Sequence, residues 1–373
     1  MPHAARVTIR GHIIAAMALP PIKHATTSDG VRVAFHTLGN GPAVVMLFPY
    51  HVNHLALNWQ VSLHRGAIEF FARYFTIVNL DFRGAGLSER RISALSLEAF
   101  AEDLDSVLAD LRLDRVALFA IGPAAVIACY AAARSPDRVT SLVFIEGGAS
   151  DANRRVLSLR HVNPQVEARM RGALVGGIED RHASASLAAV AREALEPAGL
   201  QYWEDVLDGS DLLGLAARVT APALYVDVAD DEVIPRSAGQ ALVDVMAHGQ
   251  LITVPGRSPM DVWRDRAGVQ RIARFLARHF GVETDVLRTQ RRARKGRVAH
   301  PSGLSEREVE VLRLLAQGKS NQQVADELFI SLNTVSHHLR NIFAKTGTVN
   351  RTEAAFFAHQ QGLTGTGPAG AGD

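Results

Sequence analysis

Short apolar runs rich in β-branched residues recur along most of this chain, with helical patterns set between them. The runs are Val31 to His36, Ala43 to Phe48, Phe75 to Leu80, Arg115 to Phe119, Ser141 to Ile145, Ala223 to Val228 and Leu251 to Val254. Apolar residues at helical spacing occupy Leu97 to Leu113, Ala124 to Arg134, Ser237 to Met246 and Ala267 to His279. Strands that alternate with helices cannot pair as hairpins, so they form a mainly parallel sheet with helices over both faces. The fold class is therefore α/β, and the strands are apolar throughout because neither face meets water.

The alternation breaks between about Ala149 and Val219. There the chain reads as helix, rich in Ala, Arg and Leu, with no strand signal. An insertion between two sheet strands belongs over the sheet's carboxyl edge, where α/β sheets bind ligands, so residues of about 150–220 are expected to form a helical cap.

A length of 373 residues leaves room for more than this one domain at ~150 residues each. The net charge of +2 says nothing about partners, but its local distribution does. Between Val286 and Gly303 stand Arg288, Arg291, Arg292, Arg294, Lys295 and Arg297, with no acidic residue. Residues 283–303 therefore read as a basic linker. Beyond it, paired polar residues punctuate four short helices. Ser305 with Glu308 opens the first, which stops at Gly318; Ser320 with Gln323 opens the second; Ser331 caps the third; and Asn350 with Glu353 opens the fourth, which ends at Gly362. The expected organisation is an N-terminal extension (1–21), an α/β domain (22–282), the linker, a small all-α domain (304–363) and a disordered tail (364–373).

The single cysteine, Cys129, lies in an apolar run of small residues and reads as a buried hydrophobe, which excludes a disulfide scaffold. No apolar run approaches the ~18 residues of a membrane span, and Ile13 to Leu19 lacks the charged start of a signal sequence. A cytoplasmic protein without membrane contact is expected, and no motif calls for a metal or other cofactor.

The string LSEREVEVLRLLAQGKSNQQVADELFISLNTVSHHLRNIFAKTGTVNRTEAAFFAHQQGL closely resembles the LuxR-type helix-turn-helix family over its whole length. The resemblance implies a transcription regulator that binds double-stranded DNA, usually as a homodimer on paired half-sites. Leu332 to Lys345 would then lie in the major groove, braced by Asn321 to Leu328. Helical geometry agrees: Val335, Leu339 and Ile342 form an inward stripe, leaving Asn333, Ser336, His337, Arg340 and Asn341 outward. The expected DNA contacts are Ser331, Asn333, Thr334, Ser336, His337, Arg340, Asn341, Lys345 and Arg351. His338 is expected to pack structurally. The family usually carries Lys at the position of Ser336, so one cationic contact is missing here. Gly318, Lys319 and Ser320 look like the end of a phosphate-binding loop, but Arg313 stands where its leading glycine is required.

The α/β domain resembles the α/β-hydrolases through DFRGAGLS (Asp81 to Ser88), VALFAIGPAAVIACYAAARSPDRV (Val116 to Val139) and ALYVDVADDEVIP (Ala223 to Pro235). That family carries its nucleophile on a G-x-S-x-G elbow, followed by an acid and a histidine. Here the elbow reads Ala120, Ile121, Gly122, Pro123, Ala124. Gly122 has no side chain to attack with, and Pro123 has no backbone N–H for an oxyanion. The histidine would fall among Arg257 to Pro259, and none is present; only Asp231 stands at the acid position.

An α/β-hydrolase-like pocket without reactive groups, joined to a DNA reader, implies a sensor of a small, largely apolar molecule with one or two polar groups. The expected lining is Tyr50, His51, His54, Gly122, Tyr202, Trp203, Asp231, Arg257 and Met260. Two other readings stay open at this level: a domain that serves only dimerisation or protein docking, and an enzyme of unusual mechanism, a lyase or cofactor-free oxygenase using Asp231 and a loop histidine.

Overall fold

The computed structural model describes residues 19–92, 95–147, 181–195, 197–231, 234–282, 301–328 and 332–363. Most of the N-terminal extension, the first part of the expected cap, most of the basic linker and the C-terminal tail lie outside the described residues.

Eight strands form one sheet: β1 (Lys23–Thr26), β2 (Arg32–Leu38), β3 (Ala43–Leu47), β4 (Thr76–Leu80), β5 (Val116–Ile121), β6 (Val139–Ile145), β7 (Ala223–Val228) and β8 (Gly249–Val254). Their order is β1-β2-β4-β3-β5-β6-β7-β8. The pairs β1/β2 and β2/β4 are antiparallel, and every later pairing is parallel, as the alternation of strand and helix requires.

Helices cover both faces. Among them are α1 (Leu55–Gln60), α2 (Ser62–Phe71), α3 (Leu97–Asp110), α4 (Ala125–Arg134), α5 (Arg181–Ala194), α6 (Pro197–Asp208), α7 (Leu212–Ala217), α8 (Arg236–Val245), α9 (Asp261–Arg264) and α10 (Arg266–His279). One apolar layer joins Val45, Leu118, Leu142, Phe144 and Tyr225 to α3, α4, α7 and α8. The other joins Val44, Phe119, Val143 and Val226 to α2, α9 and α10. Alternate residues of each strand feed opposite layers, which is why β3, β5, β6 and β7 are buried along their whole length.

Two differences from the sequence expectation have local causes. The helix expected to reach Leu113 stops at Asp110, because Arg112 adopts a left-handed conformation (φ 54°) and the Leu113 N–H donates back to the Leu108 carbonyl. Arginine at a position that favours glycine hides this stop. Helices α1 and α2 were not expected at all; Leu63, Ala67 and Phe71 do recur at helical spacing on α2, but the two helices are only six and ten residues long, and Trp59, Ile68 and Phe71 pack into the second apolar layer.

The motif Asp81 to Ser88 is explained by its contacts. The buried Asp81 carboxylate accepts the backbone N–H groups of Leu55 and Leu87. A Cβ on Gly86 would lie 2.1 Å from Asp81 Oδ2, so only glycine fits there. Arg83 donates to Asp103 and Asp29, tying this loop to α3 and the first hairpin.

The C-terminal helices are α11 (Glu306–Ala316), α12 (Asn321–Leu328), α13 (Leu332–Thr346) and α14 (Arg351–Gln360). They enclose a core of their own built from Val309, Leu312, Leu315, Val324, Val335, Ile342 and Ala358. No helix among the described residues is long and apolar enough to cross a membrane.

Candidate ligand site and nucleic-acid interface

The elbow after β5 turns through a glycine and presents no side chain there. Gly122 sits at φ +53°, in the left-handed region, and opens a short 3-10 turn, Gly122–Ala124, that leads into α4. Among the described residues, a Cβ on Gly122 would meet Pro49 Cγ alone, at 3.7 Å. The described residues therefore leave space where a side chain would stand. Pro123 follows within the first turn, so the backbone offers no N–H at that point.

Most of the expected lining residues follow the carboxyl ends of parallel strands, as the topology dictates. Tyr50, His51 and His54 follow β3, Gly122 follows β5, Asp231 follows β7, and Arg257 and Met260 follow β8. Several are committed to the fold. Tyr50 is fully buried, donates its hydroxyl to the Arg83 carbonyl at 2.8 Å, and packs on Phe100 and on Trp203 of α6, with ring centroids 5.3 and 5.5 Å away. Burial holds its hydroxyl far above the ordinary tyrosine range. Trp203 is equally buried, whereas its neighbour Tyr202 is half-buried.

His51 is buried. His54 is half-buried and caps α1, its Nδ1 accepting the Leu57 N–H; burial first, then the Arg90 charge, lowers its pKa. Asp231 accepts the Ile234 N–H at 2.9 Å. Arg257 is exposed, and its backbone N–H, like that of Ser258, donates to Asp261. Met260 is buried in the second apolar layer. Sequence reasoning passed over Glu146, Asp227 and Tyr225, three polar residues buried beside this edge. The available signal was an Asp inside the apolar strand ALYVDV and a Glu directly after LVFI. Among the described residues no group of His, Cys, Asp and Glu side chains is placed to hold a metal ion.

The helical domain assembles through the caps foreseen for it. Ser305 accepts the Glu308 N–H while the Glu308 carboxylate accepts the Ser305 N–H. Ser320 and Gln323 exchange the same two bonds, and Asn350 accepts the Glu353 N–H. On α13, Val335 and Ile342 are fully buried and Leu339 is half-buried, which turns Ser336, His337 and Arg340 to solvent. Asn341 is half-buried, with its amide 3.2 Å from His337 Nε2. His338 is half-buried, and its pKa is lowered, first by burial. Lys345 reaches back to Glu308, and Arg351 donates to Asn321 and to the Lys319 carbonyl, so both also brace the domain. Ser331 lies outside the described residues; Asn333 and Thr334 lie on α13, but their side chains are not among those described.

Comparison with known proteins matches two stretches of the chain. Residues 58–182 match the α/β hydrolase fold, and residues 302–358 match the bacterial regulatory proteins of the luxR family. The transcriptional regulatory protein LiaR of Bacillus subtilis (strain 168) is 41% identical over 78 residues, 21% of this chain and 36% of that protein. The response regulator protein VraR of Staphylococcus aureus (strain COL) is 40% identical over 81 residues, 22% of this chain and 39% of that protein. The chain thus spans little more than a third of these relatives.

Among solved structures, the enol-lactonase from Burkholderia xenovorans LB400 superposes with a TM-score of 0.57 at 16% identity, covering 68% of this chain and 100% of that one. A thermophilic esterase from Thermogutta terrifontis gives 0.58 at 19%, covering 69% and 99%. At these identities the likeness is one of fold alone. The chain joins an α/β-hydrolase-fold domain to a C-terminal helix-turn-helix of the luxR family of bacterial regulatory proteins.

Proposed function

We propose that this chain is a ligand-responsive transcription regulator whose hydrolase-fold domain holds a small molecule without transforming it and whose C-terminal domain reads DNA. The carrying observation is the elbow: Gly122 keeps the left-handed backbone on which this fold mounts a nucleophile, yet offers no hydroxyl, and Pro123 offers no N–H. Loss of the nucleophile in a triad enzyme costs on the order of a million-fold in rate. A missing oxyanion donor costs a further factor of ~100 to 1,000. A site so altered is suited to occupancy rather than turnover.

The effector is a small, largely apolar molecule seated over Gly122, in the space a side chain leaves open. Tyr50, His51, His54, Tyr202, Trp203, Asp231, Arg257 and Met260 border or support that seat. Binding acts on DNA affinity by favouring one conformation or assembly of the chain over another. The DNA face is the outward side of α13, with Arg340 as its principal reader and Ser336, His337 and Asn341 beside it, next to Asn333, Thr334 and Ser331. Lys345 and Arg351 contribute positive charge at its margin. The reader works as a homodimer on paired half-sites in the cytoplasm, and exposed Val349 and Phe356 provide apolar surface for self-association.

Native mass spectrometry of the purified full chain tests this reading, paired with DNA retardation before and after the bound molecule is stripped. A copurifying small molecule whose removal changes DNA affinity is the expected result. A chain that carries no ligand, binds none from a library of apolar metabolites and reads DNA identically throughout would overturn the sensing account.

A further inference from the structure

Strands β5, β6 and β7 pair in register, with Ile121 opposite Ile145 and Ile145 opposite Val226. The next row across the sheet's carboxyl edge is therefore Gly122, Glu146 and Asp227. Along β7, Tyr225 and Asp227 are alternate residues and share one face.

Glu146 is held in this row under strain. It adopts φ +50°, a left-handed conformation uncommon for a side-chain-bearing residue. Its N–H donates to the Val226 carbonyl and its Oε1 accepts the Val228 N–H, which fixes the carboxyl group at the edge. Its second oxygen, Oε2, is buried without a hydrogen-bond partner among the described residues. So are Asp227 Oδ2 and the Tyr225 hydroxyl, and all three residues are at most 1% exposed. The Tyr225 ring is pressed against α8, where a Cβ on Gly239 would lie 2.2 Å from it, so the ring has little freedom to seek a partner elsewhere. Buried polar groups are nearly always satisfied, and three orphans on one face next to an empty elbow mark a place where something else binds.

The electrostatics say what kind of group. Burial, then the Asp231 and Asp227 carboxylates, raise the Glu146 carboxyl to about 9. Burial, then Glu146, Asp227 and Asp231, hold the Tyr225 hydroxyl far above its usual range. The charges that act on both groups are negative. Water could satisfy the hydrogen bonds but could not answer the charge. An alcohol brings one donor, whereas a primary ammonium brings three N–H donors and a positive charge to three oxygen atoms.

Resting on the sensor reading above, we propose that Glu146, Asp227 and Tyr225 form the polar end of the effector site and bind a primary amine as its ammonium ion, with the apolar body of the ligand lying over Gly122. Near neutral pH the Glu146 carboxyl gives its proton to solvent as the ammonium arrives, so the net charge of the site changes by the ligand's charge and the released proton together.

The test compares hexylammonium chloride, hexan-1-ol and sodium hexanoate on the full chain, by thermal unfolding and by calorimetry in two buffers of different protonation enthalpy. Hexylammonium alone should raise the unfolding midpoint saturably and release close to one proton per bound amine. Glu146→Gln and Asp227→Asn should each weaken it by roughly tenfold or more, the scale of a charge-assisted hydrogen bond. Tyr225→Phe, which removes only a hydroxyl, should weaken it less and carries the test should a carboxyl variant not fold. Unchanged affinity in these variants, amine binding without proton release, or no amine binding would overturn the assignment. Saturable binding of hexanol or hexanoate in preference to the amine would also overturn it, yet would leave a ligand-holding domain standing; the native-mass measurement judges that broader reading on its own.

Discussion

Lys345 Nζ lies 2.7 Å from Glu308 Oε2, which joins the last turn of α13 to the capping box of α11. One carboxylate thus serves the N-terminus of one helix and the position of another. Burial opposes the Glu308 charge, but Lys345 and Ser305 outweigh it, and its pKa falls below the usual value.

Replacing Glu308 with Ala should therefore destabilise the helical domain by about 1 to 2 kcal/mol, the scale of a lost cap plus a half-exposed ion pair. Thermal unfolding of the full chain would show a lower midpoint for this domain while the α/β domain melts as before. Lys345→Ala should cost less, because the cap survives. An equal cost in the two variants would place the energy in the ion pair rather than in the cap.

Arg340 is exposed on α13 and stands one helical turn from Ser336. A guanidinium on that face can grip a guanine edge or a phosphate with two parallel bonds. Arg340→Ala should lower affinity for the cognate site by about 1 to 3 kcal/mol with unchanged thermal stability. Titration by fluorescence anisotropy at a fixed, near-physiological salt concentration reads this directly. Unchanged affinity would move the reading function to another residue.

The parts of the molecule that announced themselves in sequence are those fixed locally. Caps such as Ser305 with Glu308 and Ser320 with Gln323 act within a single turn, so the four C-terminal helices could be bounded from residue types alone. The parallel strands were visible because burial on both faces demands unbroken apolar runs. The row of Gly122, Glu146 and Asp227 had no such signature. It exists only because three strands share a register, and the Val228 to Glu146 bond closes across 82 positions of chain. Gly122 itself was readable from the sequence, together with the room that a residue without a side chain leaves at the elbow. Helix α2 carried a readable helical spacing in Leu63, Ala67 and Phe71 that was passed over, whereas α1, at six residues, is too short to show a period.

Restoring the elbow serine should not restore hydrolysis. Among the described residues Pro49 Cγ alone stands near a Cβ on Gly122, so Gly122→Ser meets no clash there, although φ +53° is a conformation that side-chain-bearing residues rarely adopt. Pro123 still withholds an N–H, and Arg257 to Pro259 still supply no histidine. Wild type and variant should both release no product from activated esters above background in a stopped-flow assay. A burst of product from either chain would show an attacking group that the elbow does not reveal.

The pH dependence of stability separates the buried groups by window. Burial lowers His36 and His64 from 6.5 to about 4, so the folded state holds them neutral. Their contribution is present above 6.5 and is lost as the pH falls toward 4. Asp81 and Asp103 move the other way, raised by burial to about 7. Their contribution is present at low pH and is lost as the pH rises through 7, so near-neutral acid conditions set two opposed trends against each other.

Above 7, Glu146 alone among these carboxyls still holds its proton, up to about 9. The unfolded chain binds no proton there while the folded chain does, so stability must fall as the pH rises from 7 to 9. Glu146→Gln keeps the shape and removes the titration. Its unfolding midpoint should decline clearly less across that interval than the wild-type midpoint, keeping only the residual titration of Asp81 and Asp103 just above 7. Parallel slopes in the two proteins would show that Glu146 is already ionised near neutrality.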